Sequence, residues 1–167
     1  MKMLARTWVV IPLLLTAVLT ATSCAEMREK QVREVVTQYL DAEKAGDYHR
    51  QYDAYDVKSL TTLPPPVGDI PNPFAPNRLV SYDVKAVTVD GATARAQVDA
   101  AFQMVWSGGL AGPQRHYDLT VYVVHQTGGW KVDELQTRTR ALDTIVGPGA
   151  GDNWLAERKR NNPLGSQ

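Results

Sequence analysis

The sequence predicts an α+β fold, with N-terminal helices packed on a curved antiparallel sheet of about four main strands. Three observations carry this expectation. Apolar residues recur at helical spacing over 26–45 and again over 48–57. Beyond residue 77 the period drops to two, in long runs. Asp90-Gly91 and Gly128-Gly129 join these runs, and such dipeptides mark tight turns between antiparallel strands.

In the first helix, Val32, Val35, Val36, Tyr39 and Leu40 form one apolar stripe. Glu29–Arg33 and Lys30–Glu34 stand four apart on the other face. Gly46 is placed to end this helix, and Asp47 to cap a second one near 48–57 with Tyr48, Tyr52 and Tyr55 as its stripe. Residues 61–77 contain Pro64, Pro65, Pro66, Pro71, Pro73 and Pro76. Proline removes a backbone donor and fixes φ, so this is an extended loop, either a lid or a passive surface strap.

The first strand is expected at 78–89 and the second at 92–106. In the second, Ala94, Ala96, Val98, Ala100, Phe102, Met104 and Trp106 share one face. Arg95, Gln97, Asp99 and Gln103 share the other, so one face is buried and the other is wetter. The third strand is expected at 115–126, with Tyr117, Leu119, Val121 and Val123 inward. A fourth is expected at 130–140, with a bulge where the phase shifts between Val132 and Leu135. The remainder, 147–167, reads as a mobile C-terminal tail with a short helix at 152–160.

The chain opens differently. Lys2 and Arg6 flank the start of an apolar core from Trp8 to Leu19, and Thr20-Ala21-Thr22-Ser23 leads to Cys24, the only cysteine. This is the layout of a secretory signal peptide. A lone cysteine at its end resembles the lipid-acceptor cysteine of bacterial lipoproteins. The resemblance covers residues 1–24 and implies cleavage before Cys24 and a thioether-linked lipid on it. Ala21 stands where leucine is usual. Ala21 and Ser23 also suit ordinary signal peptidase, so a secreted chain with a free thiol is a second reading. An uncleaved anchor is a third, although Trp8 to Leu19 is shorter than the roughly 20 apolar residues a span needs.

Without residues 1–24 the chain has 143 residues, enough for one domain with a real core. Two of the 18 basic residues and none of the 18 acidic ones lie in the leader, so the rest carries −2. That balance gives no basic excess for nucleic acid. One cysteine permits no internal disulfide, so the core alone must hold the fold.

Tyr39-Leu40-Asp41-Ala42 followed by Ala45-Gly46-Asp47 is similar to the opening of nuclear transport factor 2-like (cystatin-like) domains. So is a hairpin ending Gly128-Gly129-Trp130-Lys131-Val132-Asp133. The resemblance covers roughly 28–140, within a domain placed at 25–146. It implies a cone with an interior pocket. The early short strand of that family is expected within the Pro-rich loop. Members of the family include isomerases, cyclases, dehydratases and non-catalytic envelope proteins, so the fold fixes no function.

An enzyme of this shape needs a base inside the apolar pocket. Strand parity turns Asp99 and Asp118 to the wrong face. His125 shares parity with the apolar set and is the one weak catalytic candidate, with an ordinary rim position as the blander reading. His49, Asp53 and Asp56 fall at helical spacing on what should be a solvated face. His116 and His125, nine apart, point to opposite faces of a regular strand. No metal site and no cofactor are expected. Tyr39, Tyr52, Phe102, Trp106 and Trp130 are the candidates for lining a pocket that holds an apolar ligand. The chain is thus expected to be an exported, lipid-anchored cell-envelope protein of non-catalytic type. It would sit on the cell or outer membrane through Cys24 and bind a protein partner or a small apolar molecule. The alternative is an isomerase, cyclase or dehydratase of the same fold.

Overall fold

The structure, a computed structural model, describes residues 10–63, 77–105 and 109–161, with side chains from Cys24 onward. Its elements run α1 (Val10–Ala45), α2 (Tyr48–Asp53), α3 (Val57–Thr62), β1 (Asn77–Asp90), β2 (Thr93–Val105), β3 (Ala111–Gln126), β4 (Gly129–Val132), α4 (Glu134–Ile145) and α5 (Ala150–Asn161). The four strands form one antiparallel sheet in sequence order. The α+β reading holds.

Helix α1 runs without a break through Cys24, which is exposed. Val32, Val36, Tyr39 and Leu40 are buried, as the stripe predicts, and Val35 is half-buried. Gly46 takes φ 71° after the helix. The Asp47 carboxylate then accepts from Arg50 N at 3.0 Å and caps α2. Among the described residues no helix is long and apolar enough to cross a membrane.

The expected second helix is in fact two short ones. Asp56 lies between them and caps α3, accepting from Ser59 N at 2.9 Å. It is buried, not part of a solvated face, because its carboxylate satisfies the orphan amide of a new helix. Tyr55 bridges to Val132, with Asp56 N donating to Val132 O and Val132 N donating to Ala54 O, each at 2.8 Å. The chain thus makes a short parallel strand contact at residue 55, before the Pro-rich loop. Of that loop, Thr61 and Thr62 belong to α3, and 64–76 lie outside the described residues.

Strands β1 and β2 match their expected bounds closely. The Asp90–Thr93 turn sets a register in which Tyr82 faces Ala100 and Val84 faces Val98. Bulges between Leu79 and Ser81 and between Val84 and Ala86 bend β1 against α1. The alternation of β2 is as read from Ala94 to Ala100: Ala94, Ala96, Val98 and Ala100 are buried, as is Phe102, but Ala101 is buried too, Met104 is half-buried, and Trp106 lies outside the described residues. Strand β3 begins at Ala111, four residues earlier than expected, because Val105 pairs with Ala111 beyond a bulge. On the outer face His116 Nδ1 lies 3.1 Å from Asp99 Oδ1, so Asp99 and Asp118 do turn away from the core.

The fourth strand is corrected. It stops at Val132, and residues 134–145 are helix. Asp133 ends the strand by capping α4, with Oδ1 accepting from Gln136 N at 3.0 Å. The phase shift between Val132 and Leu135 is the onset of a helical period, not a bulge. Two further bonds fix the angle of α4. Tyr122 N donates to Thr137 Oγ1 at 3.0 Å, and Leu135 N donates to Ser59 Oγ at 3.3 Å. The helix expected at 152–160 is present as α5, two residues longer at its start. Its Trp154 and Leu155 pack against the core.

Candidate functional site

The interior between helices and sheet is not wholly apolar. Tyr39 and Glu43 stand one turn apart on α1 and continue the stripe of Val32 and Val36. Glu134 and Arg138 stand one turn apart on α4, and Gln51 comes from α2. All five side chains are buried, Arg138 at 2% exposure and Glu134 at 1%.

They form one network. Arg138 Nε donates to Glu134 Oε1 at 2.7 Å, and its Nη2 lies 2.6 Å from the same oxygen. Nη2 also reaches Glu43 Oε2 at 3.2 Å. Tyr39 Oη donates to Glu134 Oε2 at 2.6 Å. Gln51 Nε2 donates to Glu43 Oε2. Glu43 Oε1 is buried without a hydrogen-bond partner among the described residues.

Two carboxylates therefore share one guanidinium out of contact with water. Burial pushes the Glu134 carboxyl above its usual value, against the pull of Arg138 and the Tyr39 hydroxyl. Burial also disfavours the charge on Arg138, but the surrounding acids outweigh it and hold the guanidinium charged. Burial, reinforced by Glu134, keeps the Tyr39 phenol neutral well above the ordinary tyrosine value.

A cavity of about 30 Å³ adjoins the network. Tyr39, Glu43 and Arg138 make its polar wall, and Leu79, Phe102 and Leu119 part of its apolar wall. That volume accommodates a water molecule, for which about 10–15 Å³ suffices. The arrangement leaves Glu43 Oε1 free to accept from a water or another small hydrogen-bond donor in the cavity.

The four pocket candidates among the described residues do not converge. Tyr39 and Phe102 line the cavity. Tyr52 is half-buried and packs on Tyr55 at 5.5 Å, while Tyr55 sits 6.4 Å from Tyr39. Trp130 lies beside His125, ring centroids 5.0 Å apart, at a separate cleft that Arg28 also lines. His125 is exposed at that rim. Trp106 lies outside the described residues. Among the described residues no group of three or more metal-binding side chains is gathered.

The sequence reading missed Glu43, Gln51, Glu134 and Arg138. A signal existed for three of them. Glu43 occupies the next position of the α1 stripe, and Glu134–Arg138 is a four-apart pair among Leu135, Ala141 and Leu142. Reading 130–140 as a strand hid that pair.

Fold and site together define an α+β helix-on-sheet domain with an ionic network at its centre. Solved structures similar to it include a Streptomyces avermitilis protein provisionally named a dehydratase of the NTF2-like family. That likeness has TM-score 0.45 and 14% identity, over 65% of this chain and 93% of the other. Another is a point variant of a Mycobacterium tuberculosis protein of unknown function, with TM-score 0.40 and 12% identity, over 89% and 95%. No family model and no curated protein matches the sequence.

Proposed function

We propose that the chain is a lipid-anchored cell-envelope protein of non-catalytic type, with a nuclear transport factor 2-like domain that works chiefly through contacts with a protein partner. The observation that supports this best is the filled interior. A cavity of about 30 Å³ falls far below the roughly 300–1,000 Å³ of small-molecule pockets. The ionic groups beside it are largely engaged with one another. The leader and the exposed Cys24 motivate the anchor.

The test is gentle extraction from the native membrane, followed by mass spectrometry of the N-terminus and of the intact particle. A diacylglyceryl-modified Cys24 with a co-purifying protein is the expected result. An unmodified Cys24 sinks the anchor. A small non-covalent adduct, lost on denaturation, would replace the protein partner with an apolar ligand.

One observation favours a second reading, the acid–base enzyme. Among the described residues Glu43 Oε1 is an unpartnered carboxylate oxygen on a residue that lines a mostly apolar cavity. Turnover of an isomerase or dehydratase substrate that disappears in Glu43→Gln, with the fold intact, would establish it.

A further inference from the structure

A second cleft, distinct from the interior network, opens between three helices and has a volume of about 440 Å³. Each helix turns one face to it. From α3 come Lys58 and Thr62, one turn apart. From α4 come Gln136, Thr139 and Arg140, at positions i, i+3 and i+4. From α5 come Asp152, Leu155 and Lys159, at i, i+3 and i+7. These are the spacings that place side chains on one face of a helix, so three separate helices present one cation each to a common space.

None of Lys58, Arg140 and Lys159 forms an ion pair among the described residues. Among the described residues the cleft has two acids. Asp133 is buried and engaged in capping α4. Asp152 lies seven residues from Lys159, about 10 Å along the helix axis, at the other end of the α5 face. The Gln136 amide adds a donor, and Leu135 and Leu155 supply apolar surface. The volume falls in the range of roughly 300–1,000 Å³ used for small ligands.

We infer that this cleft binds a small phosphate-bearing anion. Three cations from three elements match a multiply charged group better than a single carboxylate. Arg140 offers planar paired donors, and the two lysines offer mobile point charges. The apolar surface would seat a short organic portion. The inference is independent of the anchor and of the interior network.

The test uses the full chain in neutral detergent and follows thermal unfolding, since a ligand of the native state raises Tm by mass action. Inorganic pyrophosphate is one probe, and phosphatidylglycerol doped into the micelles is the other. A saturable rise is expected, reversed by salt. It should be at least about tenfold weaker in apparent affinity in Arg140→Gln with Lys159→Gln, where charged hydrogen bonds are lost. Lys30→Gln, an exposed cation on α1, should leave the response unchanged. A response to pyrophosphate identifies a soluble phosphate compound. A cleft-dependent response only to phosphatidylglycerol identifies a lipid headgroup, and both keep the anion site. No saturable rise with either probe overturns the inference, as does equal weakening by Lys30→Gln.

Discussion

At the scale of single residues, Arg138 decides the state of the interior. Its guanidinium stands between Glu43 and Glu134, each in contact with it and each buried. Removing one partner of a buried ion pair leaves an uncompensated charge and costs about 3–5 kcal/mol. Arg138→Leu strands two carboxylates and belongs at the upper end of that range or fails to fold. Glu43→Gln acts differently. It keeps an acceptor for Arg138 and balances the pair that remains, so it should change stability by less than about 1 kcal/mol. Urea unfolding of both variants checks this, and equal losses would deny that charge balance governs the network. Neither Glu43 nor Arg138 was legible as a site residue. A charged side chain reads as solvated by default, so Glu43 is passed over although the α1 stripe leads to it, and reading 130–140 as a strand hides Arg138. The visible aromatics were less informative, because rings such as Trp130 and Tyr52 pack locally and leave the centre to Tyr39 and Phe102.

At the scale of elements, the junctions of α4 carry testable weight. Asp133→Ala removes the carboxylate that accepts from Gln136 N and should cost about 1 kcal/mol, while Asp133→Asn should retain most of the stability. Helix α5 depends on Gly151. A Cβ there would stand 2.2 Å from the carbonyl oxygen of Thr139 and 2.6 Å from its Cγ2. Backbone cannot yield as a side-chain tip can, so Gly151→Ala should push α5 off α4 and cost about 1–3 kcal/mol. Amide exchange should then quicken across α5 ahead of the rest, and unchanged protection there would refute the close approach. The strands were readable because the alternation of β2 from Thr93 to Ala100 admits only one period. Helix α4 was not, because Trp130, Val132 and Leu135 give too few apolar positions to separate a strand with a slip from a strand followed by a helix. Helix α5 is mostly polar, and its packing rests on Trp154, Leu155 and a glycine whose role appears only in three dimensions.

At the scale of the whole molecule, buried phenols set an alkaline limit. Burial, together with nearby acids, raises the phenols of Tyr39 and Tyr55, which are buried, and of Tyr48 and Tyr82, which are partly so, above the ordinary value of 10.0. Tyr82 Oη donates to Asp41 Oδ1 at 2.6 Å, and Tyr39 donates to Glu134, so ionising either phenol loses a bond and places two negative charges together. The folded values exceed the unfolded one, so the native state holds these protons longer. Their stability contribution is fully present below pH about 10 and is lost as pH rises through the folded values, by up to about 1.4 kcal/mol per pH unit for each of the buried phenols Tyr39 and Tyr55 and by less for the partly exposed Tyr48 and Tyr82, where solvent screens the charge. The urea midpoint should be level approaching pH about 9.5 and then fall steeply, and tyrosinate absorbance for these groups should appear with unfolding and not before. Tyr55→Phe should shallow the fall, since it deletes one such proton. A midpoint level to pH about 11, or an identical slope in the variant, would mean that the phenols ionise without resistance. Glu134, whose folded value is also raised, acts with the same sign at lower pH. Its contribution is complete below the unfolded value of 4.5 and declines as pH climbs through the folded one. The Glu134 effect and the ionisation of the buried phenols Tyr39 and Tyr55 trace to one arrangement, helices and sheet closing over phenols and acids, and both would move together if a partner or ligand opened that interior.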